Sequence, residues 1–370
     1  MTVQKSMNGD RAMNRLAIRA LGLSALVALA VSSAWAGADG RKGTNGAVEL
    51  QIPVGARGSA LGAPSASDVS GAEATFWNPA GLAALEGTEA LFTHTTYFAN
   101  MKVNYAAVAM KGGSFGALGF AAKVLSVGDV IVTTEQSPDG TGEILHPTFS
   151  VLGMSWARAF TDRVNFGATA NFVNETVASV SANGLAFDFG VQYKTGWRSL
   201  AFGMTMKNFG NSMAFNGQNL EFPSSPPGSE PGASNRVVRL TTATFEMPSY
   251  FTLSGGYDAW RQGNSALKVM GAFQNNNFSG DNLCGAAEWS YKEYYALRGS
   301  WFGTMTTSTD AATGNDRLSF DSGDDLYQGF ALGGSAMVKS GSATMGLDVA
   351  WRPAREFFDD TYEVALRLKF

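Results

Sequence analysis

A chain of 370 residues that is 45% hydrophobic but only 16% charged, with 44 glycines and 25 phenylalanines, has the composition of a protein whose second solvent is lipid. Its net charge of −4 gives no reason to expect a nucleic-acid partner, which would demand basic clusters to neutralise phosphates. A single cysteine, Cys284, excludes an intramolecular disulfide and a cysteine-based metal centre.

The first segment reads as an address. In "MNRLAIRALGLSALVALAVSSAWA", Arg15 and Arg19 precede an apolar stretch from Leu21 to Val31, and Ala34 and Ala36 supply small residues. This predicts a secretory signal peptide over 1–36, cut after Ala36, with Met13 as an alternative start. The apolar run falls short of the ~20 residues that a bilayer-spanning helix needs.

Residues 37–88 are too many for a tail and lack strand alternation. They are expected to form an N-terminal plug, or hatch, packed in a barrel lumen or at its mouth. Within it, Asn78 is a helix cap, Pro79 fits the first helical position, and Gly87 stops the helix after two turns. Such a helix is unstable alone. Phe76, Trp77, Leu82 and Leu85, with Ala80 and Gly81 between them, must therefore pack against a wall. The segment is expected to be held by that packing and by the Asn78 cap, without strong ionic ties.

From 89 to 370 the chain alternates with period two. Val164, Phe166, Ala168, Ala170 and Phe172 share one face, and Asn165, Gly167, Thr169 and Asn171 the other. Phe187 and Phe189 oppose Asp188, Met204 and Met206 oppose Lys207, and Leu347 and Val349 oppose Asp348. Fourteen strands are predicted, at 89–98, 101–111, 116–126, 148–160, 163–175, 182–194, 198–208, 249–258, 265–273, 282–292, 294–303, 326–338, 342–352 and 361–370. Segments of about ten residues are what a tilted strand needs to cross hydrocarbon. Tyr193, Trp197, Trp260, Tyr291, Trp301 and Trp351 fall at their ends, as interfacial aromatics do. The fold class is therefore all-β: a 14-stranded antiparallel transmembrane β-barrel with an N-terminal plug. Its lumen-facing charges are Asp188, Lys207, Lys268, Glu288, Arg298, Asp348, Glu363 and Arg367.

Short turns at 112–114, 161–163, 194–197, 260–264, 292–293 and 339–342 are expected on the periplasmic side, together with both termini. The longer connections at 127–147, 209–248, 274–281, 304–325 and 353–360 are expected outside, where 99–100 and 176–181 are short and fit less well.

Enzymatic readings are poor. His94 and His146 are the only histidines, and no nucleophile motif, phosphate loop or metal spacing appears. No cofactor or metal is expected. The acidic run with Asp316, Asp321, Asp324 and Asp325 has the hard oxygens that hold calcium, but reads more simply as a solvated external loop. Cys284 is expected to point into the lumen on the face of Glu288 as filler.

Two resemblances extend this reading. The closing "TYEVALRLKF", ending on Phe370, resembles the C-terminal signature of outer-membrane proteins, which implies recognition by the barrel-assembly machinery in a Gram-negative-type outer membrane. "PVGARGSALG" (53–62), with Arg57, followed by "FWNPAGLAAL" (76–85), resembles the N-terminal signature of the PorV/PorQ family, itself similar in fold to FadL-type fatty-acid transporters. The chain departs from that pattern over 64–74, where paired aspartates are expected, leaving any acidic tether of the plug in question. The resemblance implies one of two functions: a type IX secretion component that accepts sorting-domain cargo and meets a translocon, or a passive, hatch-gated transporter of hydrophobic small molecules. The compact mature chain favours the first.

Overall fold

The computed structural model describes residues 41–225, 228, 234–292, 294–309, 316–320, 326–356 and 358–370, without the side chains of 306–309 and 316–320. The predicted signal peptide and Asp321, Asp324 and Asp325 of the acidic run lie outside the described residues, as does the side chain of Asp316.

Fourteen long strands build the wall: β1 (Thr88–Thr96), β2 (Lys102–Lys111), β3 (Ala117–Ser126), β4 (Thr148–Ala159), β5 (Val164–Val177), β6 (Val180–Lys194), β7 (Ala201–Gly210), β8 (Tyr250–Gln262), β9 (Ser265–Asn276), β10 (Asp281–Tyr291), β11 (Tyr295–Thr309), β12 (Phe330–Ser340), β13 (Ala343–Arg352) and β14 (Thr361–Lys369). Each pairs antiparallel with the next, and β1 pairs with β14 from Glu89↔Lys369 to Thr96↔Tyr362. The ring is thus closed. Closure leaves no free edge around the ring, the condition for strands to stand in lipid.

The alternation sets the faces as the pattern predicts. Phe187 and Phe189 are each 41% exposed on the outer surface, while Asp188 between them is 3% exposed in the lumen. Boundaries differ by a few residues. The first hairpin, the least regular in sequence, is displaced by only two residues at most, whereas β11 runs on to Thr309 because Asp316–Phe320 folds back and pairs with it. Trp301, expected at a strand end, consequently stands within β11. The β6–β7 register shifts between Phe187 and Phe189, where Asn208 takes a positive φ of 58°.

All the turns predicted to be short gather at one end. The connections at 127–147, 211–249 and 353–360 gather at the other, and the first two carry small hairpins of their own (Val130–Ile131 with Ile144–Leu145, and Glu221–Ser224 with Arg236–Arg239). Phe370 pairs with Thr88 at the short-turn end, its N–H donating to the Thr88 carbonyl at 2.9 Å.

The plug fills the lumen from wall to wall. It contains α1 (Ala56–Leu61), α2 (Ala74–Trp77) and single 3-10 turns at Val48–Gln51, Ala63–Ser67, Gly71–Glu73 and Pro79–Ala84. α1 packs on β12 and β13, the 63–67 turn on β8 and β9, and the 79–84 turn on β4 and β5. The expected placement of the N-terminus lies outside the described residues, the first of which stand at the end opposite Phe370. Arg41 lies at the long-loop end, donating to Asn277 at 3.2 Å and to Glu246 at 2.8 Å, with its guanidinium over Phe278. The plug therefore enters at Gly87 from the short-turn end and threads the whole lumen, because residues 41–55 are long enough to climb the wall.

Candidate functional site: a plugged lumen beneath an apolar chamber

The Asn-Pro element forms the centre of the plug, in a different shape from the single helix predicted. Asn78 is extended (φ −159°, ψ 105°) and breaks the segment into α2 and the Pro79–Ala84 turn. Its side-chain oxygen accepts from the Ala80 N–H at 3.1 Å, as a cap should, and its amide donates to the carbonyls of Ala66 (2.7 Å) and Val191 (3.2 Å). One buried side chain thus ties two plug segments to β6. Gly167 and Gly190 make this approach possible, since a Cβ at either would fall on Pro79–Ala80 or on Asn78. Gly81 and Leu82 are fully buried, Phe76 and Leu85 nearly so, and Trp77 donates from Nε1 to the Val54 carbonyl at 2.8 Å.

The expected absence of ionic ties is wrong. Arg57, on α1, meets Glu288 of β10 at 3.0 Å and Asp68 of the plug at 3.1 Å, while Lys268 of β9 reaches Asp68 at 2.6 Å. Arg298 pairs with Glu288 and, at 3.4 Å, with Asp348; Arg367 meets Asp348 at 3.1 Å and Glu73 of the plug at 3.3 Å. Glu73 also accepts from the Gly58 N–H at 2.7 Å, and Glu89 of β1 from the Ala72 N–H at 3.0 Å. Burial raises the Asp68 carboxyl, but Arg57 and Lys268 outweigh it and hold the group below the ordinary carboxylate range. Glu363 lies buried on the same face of β14 as Arg367. Asp68 and Glu73 fall within 64–74, so this stretch does hold an acidic tether, built from one aspartate and one glutamate at a different spacing.

On the opposite wall two lysines cap the ends of plug helices. Lys207 donates to the Phe76 carbonyl at 2.6 Å, and Lys123 to the carbonyls of Glu49 and Ile52, both at 2.9 Å. The Phe76 and Ile52 carbonyls stand at helix ends, where they are favourably placed for cations, and the Glu49 carbonyl accepts from the Ile52 N–H at 3.3 Å as well as from Lys123. Both ammoniums also face the Phe76 ring, at 3.7 and 4.4 Å from its centre. Asp188 accepts from the Asn208 N–H (2.7 Å) and the Asn171 amide (3.0 Å) and so pins the β7 bulge. Glu49 is fully buried with neither carboxyl oxygen hydrogen-bonded, and burial together with the neighbouring Glu175 pushes it up to about 8. Glu175 in turn accepts from the Ala47 N–H at 3.0 Å.

Above the plug, toward the long loops, lies a chamber of about 480 Å³. Leu61, Phe76 and Trp77 supply its floor, Phe149 and Phe302 its walls, and Val48, Ile52 and Pro53 of the plug's climbing arm one side. Besides tyrosines, the polar side chains are Gln51, Gln274, Asn282, Ser300 and Arg352, whose guanidinium lies 3.9 Å from the centre of the Tyr327 ring. Cys284 faces this chamber as well, on the lumen face of β10 that carries Glu288. A concave, mostly apolar space with a few fixed polar groups is the form of a small-molecule site. Both histidines lie away from it: His94 meets Asn104 on the β1–β2 surface at 2.8 Å, and His146 meets Asp129 in the exposed 127–147 connection at 2.9 Å.

The eight predicted lumen charges all face inward, and Asp188 is the one of them whose hydrogen-bond partners, Asn208 and Asn171, belong to the wall and not to the plug or another of the eight. Sequence reasoning missed Glu49, Asp68 and Glu73 of the plug and Glu89, Lys123 and Glu175 of the wall. The one visible signal was Lys123, a charge on the inward face of an otherwise small and apolar strand, "ALGFAAKVLS".

A closed 14-stranded antiparallel barrel with its lumen filled by an N-terminal plug below an apolar chamber has the architecture of a plugged outer-membrane β-barrel. No family model matches the chain, and no curated protein matches it. Solved structures do share its fold. The deltaS2S3 mutant of TodX, a monoaromatic hydrocarbon channel, aligns at 13% identity over 85% of this chain and 97% of its own, with a TM-score of 0.52. The Pseudomonas putida toluene transporter TodX aligns at 12% identity over 85% and 96%, with a TM-score of 0.51. The monoaromatic hydrocarbon channel CymD aligns at 11% identity over 86% and 98%, with a TM-score of 0.50. Each of these three is named as a channel or a transporter. At such identities the likeness establishes the fold alone.

Proposed function

We propose that the chain is a passive outer-membrane channel for small hydrophobic molecules, closed at rest by its N-terminal plug. The observation that carries this reading is the chamber: an apolar space of about 480 Å³ whose floor is the plug itself, so that whatever occupies it lies against Phe76 and Trp77. A water-filled pore for polar solutes would instead need a continuous polar lumen. The likeness to hydrocarbon channels supports the same reading. In this reading the short-turn end and Phe370 are periplasmic, the chamber opens toward the outside, and Phe370 serves the barrel-assembly machinery. The secretion reading of the N-terminal resemblance finds no support in the comparisons, and the transport reading replaces it.

Equilibrium binding tests this. Protein purified in detergent is titrated with a small brominated aromatic hydrocarbon, and quenching of tryptophan emission is followed, Trp77 and Trp301 being the two that line the chamber. Saturable quenching is expected, reduced at least tenfold in affinity by Ala63→Phe, which fills the chamber from the plug side. Non-saturable quenching, identical in the variant, would count against a chamber site.

A further inference from the structure

Every even-numbered strand runs toward the short-turn end, and every one of them finishes with a cation. Lys111 closes β2, Arg158 is the penultimate residue of β4, Lys194 closes β6, Arg261 is penultimate in β8, Lys292 follows β10, Lys339 is penultimate in β12, and Lys369 closes β14. Lysine and arginine make up only 27 of 370 residues, so coincidence at all seven positions is not what composition alone would give. The other ends of the same strands follow no such rule, beginning with Lys102, Thr148, Val180, Tyr250, Asp281, Phe330 and Thr361.

All seven are exposed. Arg261 meets Asp258 at 3.3 Å, and among the described residues none of the other six is in an ion pair. Neighbouring strands are ~4.8 Å apart, so the cations recur every ~10 Å around the wall, as a ring and not as a patch on one side. Exposed aromatics stand at the same level: Phe160 beyond Arg158, Tyr193 before Lys194, Trp260 before Arg261, Tyr291 before Lys292 and Phe370 after Lys369. Several of the lysines inherit the lumen-facing register. At the last residue of a strand no wall follows to confine a four-carbon stem, which can swing to the level of the headgroups.

We propose that this rim is a binding ring for anionic phospholipid headgroups, one cation per hairpin meeting the phosphate layer just beyond the aromatic belt. A full ring matches the circular contact between a barrel and a leaflet, whereas a docked protein needs charge on the face it covers. Cations at a membrane surface attract anionic lipid, and the attraction is screened by salt.

The test uses the full barrel in phosphatidylcholine vesicles, with tryptophan quenching by brominated phosphatidylglycerol compared with brominated phosphatidylcholine. Trp197, Trp260 and Trp289 are exposed at the short-turn end and report on that leaflet. The expected result is about a fivefold preference for the anionic lipid at low salt, falling toward onefold in 1 M salt and in the combined variant Lys111→Gln, Lys194→Gln, Lys339→Gln, Lys369→Gln, but unchanged in Lys102→Gln at the other end. Equal quenching by the two lipids in the native chain would overturn the proposal and leave the ring to an acidic protein. Loss of the preference on adding inorganic phosphate at constant ionic strength would also overturn it, by showing a free-phosphate site. The native chain's own salt dependence keeps the test decisive if the fourfold variant fails to assemble.

Discussion

Replacing Arg57 by Met should unseat the plug without harming the barrel. Arg57 is the one side chain that joins α1 both to the plug's own Asp68 and to Glu288 of the wall, at 3.1 and 3.0 Å. Stripping a partner from a buried ion pair costs ~3–5 kcal/mol. Here each carboxylate keeps a second cation, Lys268 for Asp68 and Arg298 for Glu288, so the loss is reduced to ~2–3 kcal/mol. At tenfold per 1.4 kcal/mol, the ratio of unplugged to plugged barrels rises roughly 30- to 150-fold. Single-channel recording in planar bilayers reads that ratio as open time, with the deletion of residues 41–87 as the fully open reference. Heat-modifiable gel mobility should stay native, because the wall's ladders do not involve Arg57. An open fraction equal to the native one, in a bilayer where the deletion is clearly open, would refute the argument that this junction retains the plug.

Phe189→Arg places a cation on the lipid face and should cost ~2–4 kcal/mol near the bilayer centre, seen as loss of heat-modifiable mobility. Asp188→Ala should also destabilise, by ~1–3 kcal/mol, since it leaves the Asn208 N–H and the Asn171 amide without their acceptor; chemical denaturation of the folded barrel measures it. Asn78→Ala should loosen the plug by ~2 kcal/mol, more than a helix cap alone, because the side chain also holds Ala66 and Val191; open time again reports it. For Glu49 the docked value of about 8 lies above the ordinary 4.5, so its contribution to docking of the plug's arm is complete below about pH 4.5 and is lost as pH rises through 8. Thiol labelling of Leu50→Cys, which is buried while the arm is docked, should therefore quicken between pH 5 and 9 in a Cys284→Ser background, and Glu49→Gln should flatten that slope.

The wall was legible because its physics is local. Alternation such as Phe187–Asp188–Phe189 assigns a face to each side chain without any knowledge of its partners, and a one-residue slip would put Asp188 in lipid. Turn lengths then order the strands. The plug was legible only as a segment that had to pack somewhere, because its shape is set by contacts remote in sequence: Asn78 with Val191, Arg57 with Glu288, Arg367 with Glu73. A carboxylate such as Asp68 in "PSASDVSG" has no periodicity to mark it, and its role exists only once Arg57 and Lys268 surround it. The lumen glycines were visible as a pattern but not as a purpose. Gly167 and Gly190 read as the polar face of strands, and in the fold they are the sockets that admit the Asn-Pro element. The climb of residues 41–55 to the far mouth was also hidden, because nothing in that stretch distinguishes an arm from a loop.

The central claim is that a hydrophobic molecule, and not a polar solute, passes through the chamber above the plug. The direct measurement is uptake by cells lacking their own hydrophobe channels and expressing this chain, using a labelled small hydrophobic molecule and a labelled sugar of similar mass side by side. The account predicts saturable uptake of the hydrophobe, at least several-fold above cells without the protein and lost with Ala63→Phe, while sugar entry is unchanged. Equal enhancement of both solutes by the native chain, or hydrophobe uptake indifferent to the filled chamber, would contradict it.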